Sequence, residues 1–204
     1  MSELQQKGFD FAKKIFDDIR EMSRDVQGVT RQAFSAKETE VLEYLTAIGR
    51  TLDLEIKPDR AGNVWMTLPG KDRALPAFVA GSHVDSVPQG GNYDGLAGVT
   101  AALTVAWWMR QTGYQPVRDF TVLMMRGEES SFFGKAYMGS LGMLGKLTEK
   151  DLALKIRDGS CTLAQAMQSC GIDTGAVSGG KALIDTDKIA AFVELHIEQG
   201  PTLD

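Results

Sequence analysis

The chain reads as an α/β protein with a three-layer architecture, a mixed, mainly parallel sheet flanked by helices, and three observations predict it. Short apolar runs of strand length recur at 77–82, 120–125 and 189–195, the first without any charge. Stretches with apolar residues at helical spacing lie before and between them, near 8–22, 35–52 and 96–108. Each of the three runs also empties into a polar segment carrying His, Asp or Glu, and open α/β sheets place ligands at the carboxyl ends of their strands.

The elements follow in order. Phe9, Ala12, Ile15, Phe16 and Ile19 mark the apolar face of a first helix, and Ser35 with Glu38 makes an S-x-x-E capping box that opens a second. Residues 54–57 and 63–68 read as strands on either side of the Pro58–Gly62 turn. The strand at 77–82 leads through a polar loop to the helix from Leu96, and Gly113 and Pro116 break the pattern before the strand at 120–125. Residues 141–154 and 162–169 read as helices, the latter capped by Ser160 or Thr162, and 175–181 as a glycine-rich passage. The run from Ile189 is the last strand, and the central strands of the sheet are expected to include 77–82, 120–125 and 190–195.

A chain of 204 residues holds one substantial domain or two small ones, and its 43% apolar and 24% charged residues are those of a globular protein. The formal net charge of −5 and the lack of any Lys/Arg run predict no nucleic-acid partner. No stretch approaches the ~20 apolar residues that span a bilayer, and the N-terminus lacks the apolar core of a secretory signal, so no membrane partner and a cytoplasmic location are expected. Cys161 and Cys170 lie outside any paired metal-binding spacing and read as structural thiols.

The chemistry concentrates at the three strand ends. After the first comes His83-x-Asp85, with Asp94 eleven residues beyond the histidine. A neutral imidazole ligates zinc-like ions, and a carboxylate can orient it through its other ring nitrogen, which suits Asp85 to orientation and Asp94 to ligation. The second ends in Glu128-Glu129, whose side chains leave the backbone in different directions, so that one can bind an ion while the other serves as base. The third ends in His196. Taken together they predict a shared metal site in one crevice. A serine nucleophile is the competing route, but no G-x-S-x-G elbow is present.

The segments GSHVDSVPQGGNYDG, RGEES and ELHIEQGP, supported by GVTRQAFSAKE and AGNVW, resemble the hydantoinase/carbamoylase-type amidases. These include N-carbamoyl-L-amino-acid hydrolases and allantoate amidohydrolases, and belong with the two-zinc aminoacylases and zinc exopeptidases. The resemblance implies two divalent metal ions per complete subunit, zinc or manganese or cobalt. It implies that His83 and His196 bind one metal, Asp94 bridges the two, Glu129 binds the other, Glu128 is the general base, and Asp85 stands behind His83. Gln199 is implied as a substrate contact, and the Asp94–Gly95 peptide as cis.

The resemblance further implies that residues 1–204 form the N-terminal portion of the catalytic domain. A lid and dimerisation domain and a C-terminal remainder with a further histidine ligand would lie elsewhere. The complete protein would then be a homodimer acting on a small carbamoyl or ureido compound, whereas this stretch alone would be inactive. Many relatives carry Arg shortly after the paired glutamates, where this chain has Phe132 and Phe133, which leaves the substrate class open among carbamoyl amino acids, allantoate and related compounds. A catalytically silent metal-binding or interaction domain is the alternative for a chain of this extent.

Overall fold

The computed structural model describes residues 2–198. Its five strands are β1 (Glu55–Pro58), β2 (Val64–Leu68), β3 (Ala77–His83), β4 (Phe120–Met125) and β5 (Ile189–Val193), joined in one sheet in the order β1-β2-β4-β3-β5. β2 pairs antiparallel with both β1 and β4, and β3 runs parallel to both β4 and β5. Parallel pairing requires a crossover, and the helix between β3 and β4 provides it. The mixed sheet flanked by helices is the architecture the sequence predicts.

Three helices cover one face: α1 (Glu3–Ser23), α2 (Ala36–Thr51) and α3 (Leu96–Thr112). Ile15, Ile19, Val41, Leu45 and Leu103 pack there against Met66, Val122 and Met124. α1 begins earlier than its apolar spacing indicates because Ser2 and Gln5 form a reciprocal capping box, which satisfies the first amides without any apolar signal. β4 is buried at all six positions, as its continuous apolar run requires of a central strand. On the opposite face Val79, Leu123 and Met125 meet Trp65, Ala77 and Ile189.

A second core gathers around Phe34, Phe132, Phe133, Met138, Leu163 and Met167, with Trp65 packed against it. Four short helices contribute to it, α4 (Met138–Met143), α5 (Glu149–Leu152), α6 (Leu163–Ser169) and α7 (Thr174–Val177), together with the turns that carry Phe34, Phe132 and Phe133. The single helix expected at 141–154 is therefore two. Gly145, at φ +67°, turns the chain after α4, and Thr148 with Asp151 caps a new start for α5. Thr162 is the cap of α6, and part of the glycine-rich passage is helical, with Asp173 capping α7 and Val177 buried.

β5 departs from the expected central position. Among the described residues it lies at the sheet edge, pairs only with β3, and exposes Phe192 and Val193. Its apolar run has the composition of an interior strand, but no described strand lies on its outer side.

Candidate metal and catalytic site

β3, β4 and β5 deliver the predicted side chains to one place. β3 ends on His83, which is fully buried, as are Asp85 and Asp94 in the loop that follows. β4 leads through Arg126 and Gly127 to Glu128 and Glu129, both partly exposed, and the chain beyond β5 brings an exposed His196. Ligand atoms of His83, Asp94 and His196 lie within 4.8 Å of one another, and so do those of His83, Glu128 and Glu129. His83 belongs to both groups. Gln199 lies outside the described residues.

His83 Nε2 and His196 Nε2 face each other at 3.0 Å, and His83 Nε2 lies 3.7 Å from both Asp94 Oδ1 and Glu128 Oε2. Two imidazole nitrogens at that separation share one proton or one cation. Burial opposes a charge on His83, yet the hydrogen bond to Asp85 and the carboxylates of Asp85, Asp94 and Glu128 outweigh it and raise its pKa to about 9. Burial also raises Glu129 to about 7, reinforced by the neighbouring carboxylates of Asp94 and Glu128, and lifts Glu128 above the ordinary range. Carboxylates crowded around an imidazole in this way fit a divalent ion. Asp94 Oδ2 accepts from the Val87 amide at 3.1 Å, while the buried Oδ1 has no hydrogen-bond partner among the described residues. A buried carboxylate oxygen without a donor is costly unless a cation faces it.

Asp85 has two tasks. Its main-chain carbonyl lies 2.9 Å from His83 Nδ1 and its Oδ1 lies 3.3 Å away. Its two carboxylate oxygens also accept the amides of Glu128 and Glu129, at 3.0 and 2.9 Å, which couples the β3 loop to the β4 end.

The Asp94–Gly95 peptide is trans, because no cis peptide occurs among the described residues. The sharp reversal comes from Gly95, at φ +59° and ψ −41°, with the Leu96 amide bonded to Asp94 O across it. A Cβ on Gly95 would sit 2.5 Å from the His83 ring, so only glycine brings Asp94 this close to the imidazole.

Sequence reasoning missed the residues beneath the site. Glu38 was assigned to a capping box, and Ser35 does accept its amide, but its buried carboxylate accepts from Phe34 N, Arg126 Nε and Gly127 N at 2.8, 2.7 and 2.9 Å. Burial raises Glu38 to about 7 against the pull of Arg126. Asn63 adds a bond from the Arg126 amide to its Oδ1. Arg31 is fully buried and reaches the carbonyls of Val84 and Asp94. The available signal was a charged residue in a short segment otherwise lacking charge, 28–34.

The chain is similar to known proteins. A ureidoglycolate hydrolase of Oryza sativa subsp. japonica is 34% identical over 88% of this chain and 37% of its own length. An N-carbamoyl-L-amino-acid amidohydrolase of Paenarthrobacter aurescens is 33% identical over 95% of this chain and 47% of its own. The chain thus spans less than half the length of these relatives. A crystal structure of a hydantoinase/carbamoylase family amidase from Burkholderia ambifaria superposes with a TM-score of 0.80 at 27% identity, covering 94% of this chain and 46% of that one. Residues 79–204, which begin in β3 and include every strand-end residue of the site, match Peptidase family M20/M25/M40, and the chain belongs to that family.

Proposed function

We propose that this chain carries the metal-binding part of an amidohydrolase that cleaves linear ureido C–N bonds, with an N-carbamoyl-L-amino acid as substrate. The observation behind this reading is the meeting of His83, Asp94 and His196 in one ligand group with His83, Glu128 and Glu129 in another. In it His83, Asp94 and His196 would hold one ion, and Asp94 and Glu129 would supply part of the ligand set of a second, zinc or manganese or cobalt. Such an ion would polarise the ureido carbonyl and lower the pKa of water to about 7.

Glu128 supplies the proton transfer. Its carboxylate takes a proton from the attacking water and returns it to the leaving nitrogen, and a raised pKa suits a group that must do both. The products from one carbamoyl amino acid and one water are the free amino acid, carbon dioxide and ammonia. Asp85 keeps His83 and the Glu128 amide in register, and Gln199 contacts substrate. A complete subunit would add a lid, a dimer contact and the remaining ligand, working as a cytoplasmic homodimer. Allantoate is the alternative substrate.

Metal content after dialysis, with hydrolysis of N-carbamoyl-L-amino acids and allantoate at added zinc, manganese or cobalt, tests the reading. At most one tightly held ion and negligible turnover are expected of this chain, and full turnover once the remainder of the catalytic domain is joined to it. Metal without turnover in that longer protein would favour a silent binding domain, and no retained metal in either would sink the site.

A further inference from the structure

We infer that Arg31 is a positioning residue for the ligand-bearing loop, tying the strand end that presents His83 to the turn that presents Asp94. The inference rests on the proposed metal site. Arg31 follows α1 by several residues and is fully buried. Its Nε donates to Val84 O at 2.6 Å, the carbonyl between His83 and Asp85, and its Nη2 donates to Asp94 O at 2.9 Å. Its amide donates to Ser86 Oγ and its carbonyl accepts from the Ser86 amide, both at 3.0 Å. Each of these hydrogen bonds falls on the segment 84–94, and none on a residue of a helix or strand.

The guanidinium geometry explains why arginine serves here. Its planar fork offers donors in fixed directions, so one side chain holds two carbonyls from distant parts of the loop at a set separation. A lysine ammonium in the same space is a single point donor on a flexible stem. Burying the charge is expensive, and the carboxylates of Asp85 and Asp94 above it provide compensation. Holding the Asp94 carbonyl from below fixes its Cα while the carboxylate faces His83. The ordering of the loop then occurs on folding instead of on ion binding, which raises affinity for the ion.

The test uses Arg31→Lys and Arg31→Gln in the full chain. Zinc binding is measured by calorimetry, melting temperature by circular dichroism, and amide exchange across 84–95 by mass spectrometry of the metal-free protein. Both variants should lower zinc affinity by about 10- to 100-fold, the range for residues that support ligands, and speed exchange in 84–95 relative to α3 and β4. A merely structural role would lower the melting temperature while the folded protein kept its zinc affinity and relative exchange pattern, and that result overturns the inference. If neither variant folds, Ser86→Ala removes only the hydroxyl that receives the Arg31 amide. It should weaken zinc binding and loosen the same loop, and unchanged values for both would overturn the inference. Should the unaltered chain bind no zinc, the exchange pattern across 84–95 alone judges Arg31, and an unchanged pattern in both variants overturns the inference; the proposed function fails only if the longer protein retains no metal either.

Discussion

The two histidines of the site are held in opposite ways. His83 is buried at the end of an interior strand, oriented by Asp85, approached closely by Gly95, and underpinned by Arg31 through the adjacent carbonyl. His196 is exposed beyond an edge strand whose Phe192 and Val193 are also exposed, and its Nδ1 lies 2.7 Å from the neighbouring carbonyl of Ile197. The difference teaches that one half of the site is preorganised by the fold, while the other depends on how a sparsely packed segment is held. Ligands on the first half should govern affinity, and those on the second should respond to whatever covers β5.

The largest expected effect separates base from ligand at the end of β4. Glu128→Gln in the complete enzyme should lower turnover about 10²- to 10⁴-fold with metal content nearly unchanged, whereas Glu129→Gln should lower metal content. Equal behaviour of the two variants would break the division of labour between them.

Next comes the contrast of the histidines themselves. His83→Ala removes the ligand common to both groups and should weaken metal binding by more than about 100-fold, beyond the usual loss for a supporting residue, while His196→Ala should cost less. Calorimetric titration of both variants checks this, and a larger loss at His196 would reverse the proposed hierarchy.

A smaller effect is expected from pH. His83 in the metal-free protein titrates near 9, so an ion entering at pH 7 must expel a proton, and affinity should fall about tenfold per unit as pH drops below 9. Glu129, near 7, adds a second proton below that point. The stability contribution of His83 runs the other way. Its folded pKa exceeds the ordinary 6.5, so in the metal-free chain that contribution is full below 6.5 and lost as pH rises through 9. Opposite pH trends in metal affinity and in this part of metal-free stability would sharpen the picture. Parallel trends would contradict it.

The smallest effects lie in the strands. Val79→Ala on buried β3 should cost about 1.5–2 kcal/mol from two lost methyl groups, and Val193→Ala on exposed β5 under about 0.5 kcal/mol. Urea unfolding distinguishes them. Similar losses would mean that β5 is better covered in solution than its exposure indicates.

What was legible in the sequence follows the same division. The strand at 120–125 was read to the residue because a continuous apolar run bounded by Asp119 and Arg126 admits little else. His83, Asp94, Glu128, Glu129 and His196 could be expected to meet because each follows such a run. The split of 141–154 was missed because apolar spacing continues across Gly145 although the backbone does not. Arg31 and Glu38 were missed for another reason: apart from Phe34 beside Glu38, their side chains' partners lie 53 to 89 residues away, and local patterning carries no information about a bond of that span.

The edge position of β5 has a consequence for the order in which the site forms. Residues from Leu96 through β4 can be threaded onto β3 while the chain is still being made, but His196 is 113 residues from His83, and β5 must close that longer distance after β4 has been made. Contacts of such long sequence separation pay loop-closure entropy before they return any energy, and they slow folding. A nascent chain would therefore pass through a stage in which the buried histidine and its carboxylates are assembled without their second imidazole. An ion held by both imidazoles would be captured only after β5 has joined β3, so metal loading would wait on that one strand pairing.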